Sequence, residues 1–250
     1  MFTPSKMPNL ARFNLSDLIV FSAHLRQLHK ESHSMEEVAQ KAVTYFYENL
    51  IEQDTGGKCC VLVRFFKTHP YGELTPELQA FARNLLQKPP QNFTKCLTLL
   101  GTFGQKPEWN HRTQSNCYQA IPLEDDKNLE KLPMFLQLFH QLELPINTVI
   151  NPHQSTLLLD LEQKNYNLFY VSEAMGSAYV PAQENFVIPF GIKSVLGFGG
   201  FLPSSCDLFA LIIFSNVFIP PETAKLFKPL AMSIKLSLLP FVGKTIFNKT

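Results

Sequence analysis

Apolar residues recur at two periods along this chain, and the switches between them mark out its elements. From Asn14 the spacing is helical: Leu18, Phe21, Leu25 and Leu28 fall three and four apart behind a capping asparagine, with Asp17 in the first turn. So narrow a seam suits a helix that pairs with another helix, or one that covers its own sheet. Ser34-Met35-Glu36-Glu37 has a capping-box pattern, and Val38, Ala42, Val43, Phe46 and Leu50 then line one helical face. After Gly56-Gly57 the period changes. Residues 59–66 form an apolar run of strand length, and Thr75-Pro76-Glu77 opens a helix that Pro89-Pro90 stops. Residues 96–104 and 116–123 predict strands on either side of a polar loop, 106–114, that holds the single tryptophan.

The second half continues with a helix over 129–142, a short strand over 167–171, a loop over 172–183, and an apolar lead-in over 186–191. The clearest stretch comes last. Ser194 to Leu202 alternates bulky residues with glycines, which predicts a strand with tight backbone contacts on one face. A polar turn separates it from the wholly apolar run Leu208 to Phe214, so the two make an antiparallel hairpin whose second strand is central. Pro220-Pro221-Glu222 then starts a closing helix with Phe227, Leu230, Ala231, Ile234 and Leu238 on one side, ending near Pro240.

With 250 residues, 45% of them hydrophobic, the chain can bury a full core, and no repeat or long linker divides it. The expected division is a loose arm and pairing helix over 1–33, one α/β domain of the α+β kind over 34–241, and a tail over 242–250. A formal charge of +1 with lysines spread singly gives no field for nucleic acid. Lys225, Lys228, Lys235 and Lys244 accompany an apolar stripe, but most such helices pack on their own sheet, so membrane binding is not expected. Cysteines 59, 60, 96, 117 and 206 show no CxxC spacing, which favours reduced, buried thiols. No signal-peptide pattern and no apolar run of about 18 residues occurs, so a cytoplasmic protein is expected.

The order of elements resembles the GAF superfamily of small-molecule sensor domains. The likeness is carried by the segment from Gly191 to Gly200, the strand after it, and Ile219 to Ala231, which look like the last strands and carboxy-terminal helix of a GAF domain. More narrowly, LTLLGTFGQKPEWNHR, SNCYQAIPL and NFVIPFGIKSVLGFGGFL resemble the GAF-like region of bacterial multi-domain sensors, often found ahead of histidine kinase modules. The resemblance spans roughly residues 34–240. It implies a GAF/PAS-like central antiparallel sheet flanked by helices, and a pocket closed by loops. Only ten residues follow Pro240, so output is expected in trans, to a histidine kinase or another signalling protein.

No G-x-S-x-G turn or phosphate-binding loop is present, and no nucleophile, base and orienting group occur together, so no enzymatic activity is expected. Glu124-Asp125-Asp126 fits a solvated loop. His24 and His29 lack the i, i+4 spacing of helical metal sites, and His140 would need an apolar pocket to hold haem. Cys117 lacks the following histidine common in bilin-binding GAF domains, and the NKxnFx3DE pattern associated with cyclic nucleotides is missing. The cofactor is therefore left unknown, with neither haem nor bilin expected. Aromatic residues near the expected loops offer a pocket lining: Trp109, Tyr118, Phe169, Tyr170, Tyr179 and Phe190, with Asn110, Arg112 and Gln183 as polar partners. Equally, these aromatics could cover the sheet edge. Two functions follow as expectations: a stand-alone sensory domain for a small molecule, or a ligand-free homodimeric module joined through Leu18, Phe21, Leu25 and Leu28.

Overall fold

The computed structural model describes residues 8–115, 118–124, 133–141, 168–203 and 207–248. Cys117, Cys206, Asp125, Asp126 and the region 142–167 therefore lie outside the described residues. Among those described, six strands form one sheet: β1 Cys60–Pro70, β2 Lys95–Gly104, β3 Ala120–Pro122, β4 Leu168–Val171, β5 Ser194–Phe201 and β6 Leu208–Ser215. Their order is β3-β2-β1-β6-β5-β4, and every neighbouring pair is antiparallel. Flanking helices are α1 Leu15–Leu25, α2 Met35–Asn49, α3 Pro76–Leu86, α4 Pro133–Gln141, α5 Pro221–Lys225 and α6 Leu230–Leu238. This α+β arrangement, an antiparallel sheet between helices, is the architecture the GAF resemblance implies.

The expected hairpin is fully paired from Ser194 opposite Ser215 to Phe201 opposite Leu208. Its second strand is buried throughout because β1 adds to its other edge. At Gly199 a Cβ would stand 2.0 Å from the Phe209 carbonyl oxygen, so only glycine fits that close approach.

The period of two sorts side chains onto two faces. Val63, Phe65, Phe198, Phe209 and Leu211 join a core built with α1, α2 and α6, in which Phe46, Ile234 and Leu238 are fully buried. Leu62, Phe66, Leu97, Leu99, Ile212 and Phe214 join the core of the other face, with α4 and the irregular stretches before β3 and after β4.

Asn14 caps helix α1 as expected, and the structure closes the cap into a capping box: Asn14 Oδ1 accepts the amides of Ser16 and Asp17, while Asp17 accepts that of Asn14. The seam it carries is used inside the chain. Phe21 and Leu25 are fully buried, Leu28 is buried, and Leu18 is half-buried against the same core. The partner helix is α6 of the same chain, where Ser237 Oγ donates to the Leu25 carbonyl and Arg26 Nε donates to Ser233 Oγ at 3.3 Å. A second copy has no access to Phe21 or Leu25 in this fold, which corrects their placement in a dimer seam.

Three other segments differ from expectation. Leu10 and Phe13 are buried in the expected loose arm, where the Phe13 ring meets Phe21 at 5.2 Å and Phe227 at 4.5 Å. The closing helix is broken into α5 and α6 because Pro229 has no amide to continue the ladder. The lead-in over 186–191 contains a π turn, Gln183–Val187, entered through a left-handed Ala182.

Candidate functional site

The site lies on the face opposite α2 and begins with the alternation of β1, which brings Leu62, Arg64 and Phe66 to one cavity. After β2 the chain turns sharply, and a 3-10 turn, Pro107–Trp109, lays the indole over Gly104. There a Cβ would lie 2.9 Å from Trp109 Cε3 and 2.8 Å from the Val61 carbonyl oxygen, so glycine is what admits the ring. Asn110 fixes this loop: its Oδ1 accepts the Gly104 amide at 3.0 Å and its carbonyl accepts from Gln40 Nε2 at 3.3 Å.

From the π turn, Phe186 meets Trp109 edge-on at 5.6 Å and Phe214 of β6 at 5.1 Å. Tyr118, Met134 of α4, Pro181, Ala182 and Asn185 complete a pocket of about 230 Å³. The wall is overwhelmingly apolar. Its charged member is Arg64, whose Nη2 donates to Ser115 Oγ at 3.4 Å while the guanidinium stands 5.9 Å from the Tyr118 ring centre. On the outer side, the Lys106 ammonium lies 5.6 Å from the Trp109 ring and 5.2 Å from the Phe190 ring.

Two wall residues have strained backbones. Tyr118 and Ala182 are left-handed, at φ 62° and 59°, and among the described non-glycine residues only Gln87 joins them. Such a conformation costs a residue with a Cβ roughly 1–2 kcal/mol, and strain of this kind collects where a ligand or a switch needs it.

Of the residues picked out by sequence, Trp109 and Tyr118 line the pocket, and Phe190 backs it at 4.9 Å from Trp109. The others go elsewhere. Asn110 is a loop strut, as above. Arg112 lies on the α2 side, where its Nε and Nη2 bind the Glu36 carboxylate at 2.7 and 3.0 Å. Phe169 is a core residue packed on Gly197. Tyr170 belongs to the other core and donates its hydroxyl to the Ile219 carbonyl. Tyr179 is exposed, and Gln183 staples its own loop by donating to the carbonyls of Ala174, Ser177 and Val180.

Sequence reasoning missed Arg64, Phe186, Phe214, Met134 and Asn185. A signal existed for Arg64, the one charge in the apolar run 59–66. Burial raises the thiol pKa of Cys59, Cys60 and Cys96, that of Cys96 to about 12, so these three are protonated at neutral pH. Among the described residues no group of three His, Cys, Asp or Glu side chains could hold a metal ion. No described helix is long and apolar enough to cross a membrane.

Neither a protein-family model nor a curated protein matches the sequence. Solved structures do show likeness of fold. That of fRMsr of Staphylococcus aureus, reduced form, is 12% identical, covers 95% of this chain and 99% of its own, and has a TM-score of 0.44. The phycoerythrobilin-bound GAF domain from a cyanobacterial phytochrome is 8% identical over 89% and 94%, with a TM-score of 0.43. The GAF domain of a phosphoenolpyruvate-protein phosphotransferase from Coxiella burnetii is 11% identical over 92% and 95%, with a TM-score of 0.42. Two expectations are corrected by these neighbours. The chain was expected not to be an enzyme, yet fRMsr is a methionine sulfoxide reductase, so that expectation is withdrawn. A bilin was not expected, yet bilin-bound GAF domains stand among the neighbours, so that expectation is withdrawn as well.

Proposed function

We propose that this chain is a GAF-like sensory domain that binds a small, largely apolar molecule in the pocket walled by Trp109, Tyr118, Phe186 and Phe214, and reports its occupancy to a partner in trans. The observation that carries the proposal is the pocket itself: concave, apolar, with a few polar groups, and walled in part by two residues in left-handed backbone conformation. The wall joins a 3-10 turn, a π turn and a short helix to the strands β1 and β6. A ligand that prefers one arrangement of these loops shifts the domain only by that preference. Arg64 and Asn185 orient the ligand, and α1 and α6, packed together behind the sheet, carry the change outward.

Trp109 is the single tryptophan, so its emission reports the pocket directly. Native mass spectrometry of the purified chain, followed by titration of any recovered small molecule while Trp109 emission is recorded, tests the proposal. A bound mass that shifts the emission, and is lost in Phe186→Ala while the variant still melts cooperatively, is the expected result. Emission that stays constant while a ligand binds would place that ligand elsewhere and refute the pocket assignment.

A further inference from the structure

A second cavity, of about 260 Å³, lies on the α2 side of the sheet, where β1 finishes and β2 and β6 begin. Its polar floor is buried. Lys67 Nζ donates to Asp207 Oδ2 at 2.7 Å and to the Thr68 carbonyl at 2.9 Å, and Lys95 Nζ donates to Asp207 Oδ1 at 2.6 Å. The three side chains are 2%, 9% and 8% exposed in the order Lys67, Lys95, Asp207. One carboxylate thus serves two ammonium groups. Each ammonium carries three N–H donors, so one on Lys67 and two on Lys95 have no acceptor among the described residues. Buried charged donors left in this state are expensive, and the space beside them admits a group that could accept from them. Met35, Leu202, Val242 and Ile246 form an apolar part of the wall.

We propose that this cavity is a second ligand site, and that it takes a small monocarboxylate. The two carboxylate oxygens accept the remaining donors of Lys67 and Lys95, and the aliphatic body rests on Met35, Leu202, Val242 and Ile246. Charge selects for one negative group: the buried trio leaves one net positive charge, and the exposed carboxylate of Glu73 on the same lining repels a second. The site is independent of the Trp109 pocket, since the sheet stands between them and no residue lines both.

Isovalerate is a suitable probe, with isovaleramide as its neutral isostere and inorganic phosphate as an anion without an apolar body. Calorimetric titration of the full chain is expected to show one isovalerate per chain and at least about tenfold weaker binding of the amide, as a charged hydrogen bond requires. Lys95→Met is expected to abolish binding. Should that variant fail to fold, Ile246→Trp fills the cavity without touching the charges and is expected to do the same. Phe186→Ala, which alters only the first pocket, leaves isovalerate binding unchanged. Equal affinity for acid and amide, tighter binding of phosphate, retained binding in Ile246→Trp, or no binding of isovalerate at all would each overturn the assignment.

Discussion

His69 makes acid stability a sharp test of the packing at this end of the sheet. The side chain is fully buried, neither ring nitrogen has a hydrogen-bond partner among the described residues, and the Phe247 ring lies 5.4 Å away. Burial first, then the charges of Lys67 and Lys95 and, more weakly, Arg112, outweigh the raising influence of the nearby Lys67 backbone, which makes no well-formed hydrogen bond to the ring, and hold its pKa well below the ordinary value of 6.5. An unfolded histidine titrates near 6.5, so below that pH the unfolded chain binds a proton that the folded chain refuses. The contribution is therefore intact above neutrality and is lost as pH falls through about 6.5, with a limiting slope of about 1.4 kcal/mol per pH unit. That amounts to about 1.4 kcal/mol at pH 5.5 and about 2 kcal/mol at pH 5, relative to about pH 7.5. Urea unfolding of the native chain and of His69→Leu across this range isolates the effect. His24, whose pKa burial also lowers, is present in both proteins and cancels in the difference. The variant is expected to lose stability toward acid less steeply, by the amounts given. Parallel pH profiles would show that the His69 ring accepts its proton within the fold, and would refute the reasoning.

Two further outcomes follow from buried groups. Asp207→Ala leaves the Lys67 and Lys95 ammonium groups buried without their shared carboxylate, and urea unfolding is expected to show a loss of about 3–5 kcal/mol in unfolding free energy. Phe21→Ala removes a fully buried ring that meets Phe13, Tyr45 and Phe46; about 3–5 kcal/mol of stability should go, with no change in sedimentation, because the contacts are within one chain.

The sheet was legible because each strand has its own signature. The hairpin announced itself by glycines on one strand and an unbroken apolar run on the other, and every residue of Ser194–Phe201 is paired with one of Leu208–Ser215. The pocket was legible only in part. Trp109 was visible as the lone tryptophan in a polar loop, but its companions come from a strand, a π turn and a helix far apart in sequence. Local periodicity says nothing about which of these meet. Nor does residue type betray the left-handed backbones of Tyr118 and Ala182, since that conformation is ordinarily signalled by glycine or asparagine. The α1 seam shows the converse limit. Its spacing suited either a partner helix or the chain's own sheet, and spacing alone does not say which; here the neighbour is α6 of the same chain.

The final segment could have been placed from hydrogen-bond accounting. A helix leaves its first amides without partners inside the helix, and in a buried setting something must accept from them. Ser34 Oγ serves the amide of Glu37, but the Glu37 carboxylate reaches past Ser34 to the His33 amide, so the box does not close on itself. Met35 and Glu36, both buried, still need acceptors. The carbonyls of Thr245 and Ile246 provide them at 3.1 and 2.9 Å, the Asn248 amide returns a bond to Glu36 Oε2 at 3.0 Å, and Ser34 Oγ donates to Asn248 Oδ1 at 2.6 Å. Phe247 then stands between the Arg112 guanidinium at 5.2 Å and the His69 ring. Residues 242–248, in the stretch expected to be a tail, thus cap α2 and form one wall of the lysine-lined cavity through Val242 and Ile246. Any ligand entering that cavity must share its wall with the segment that caps α2, which ties occupancy there to the start of the helix lying on β1 and β2.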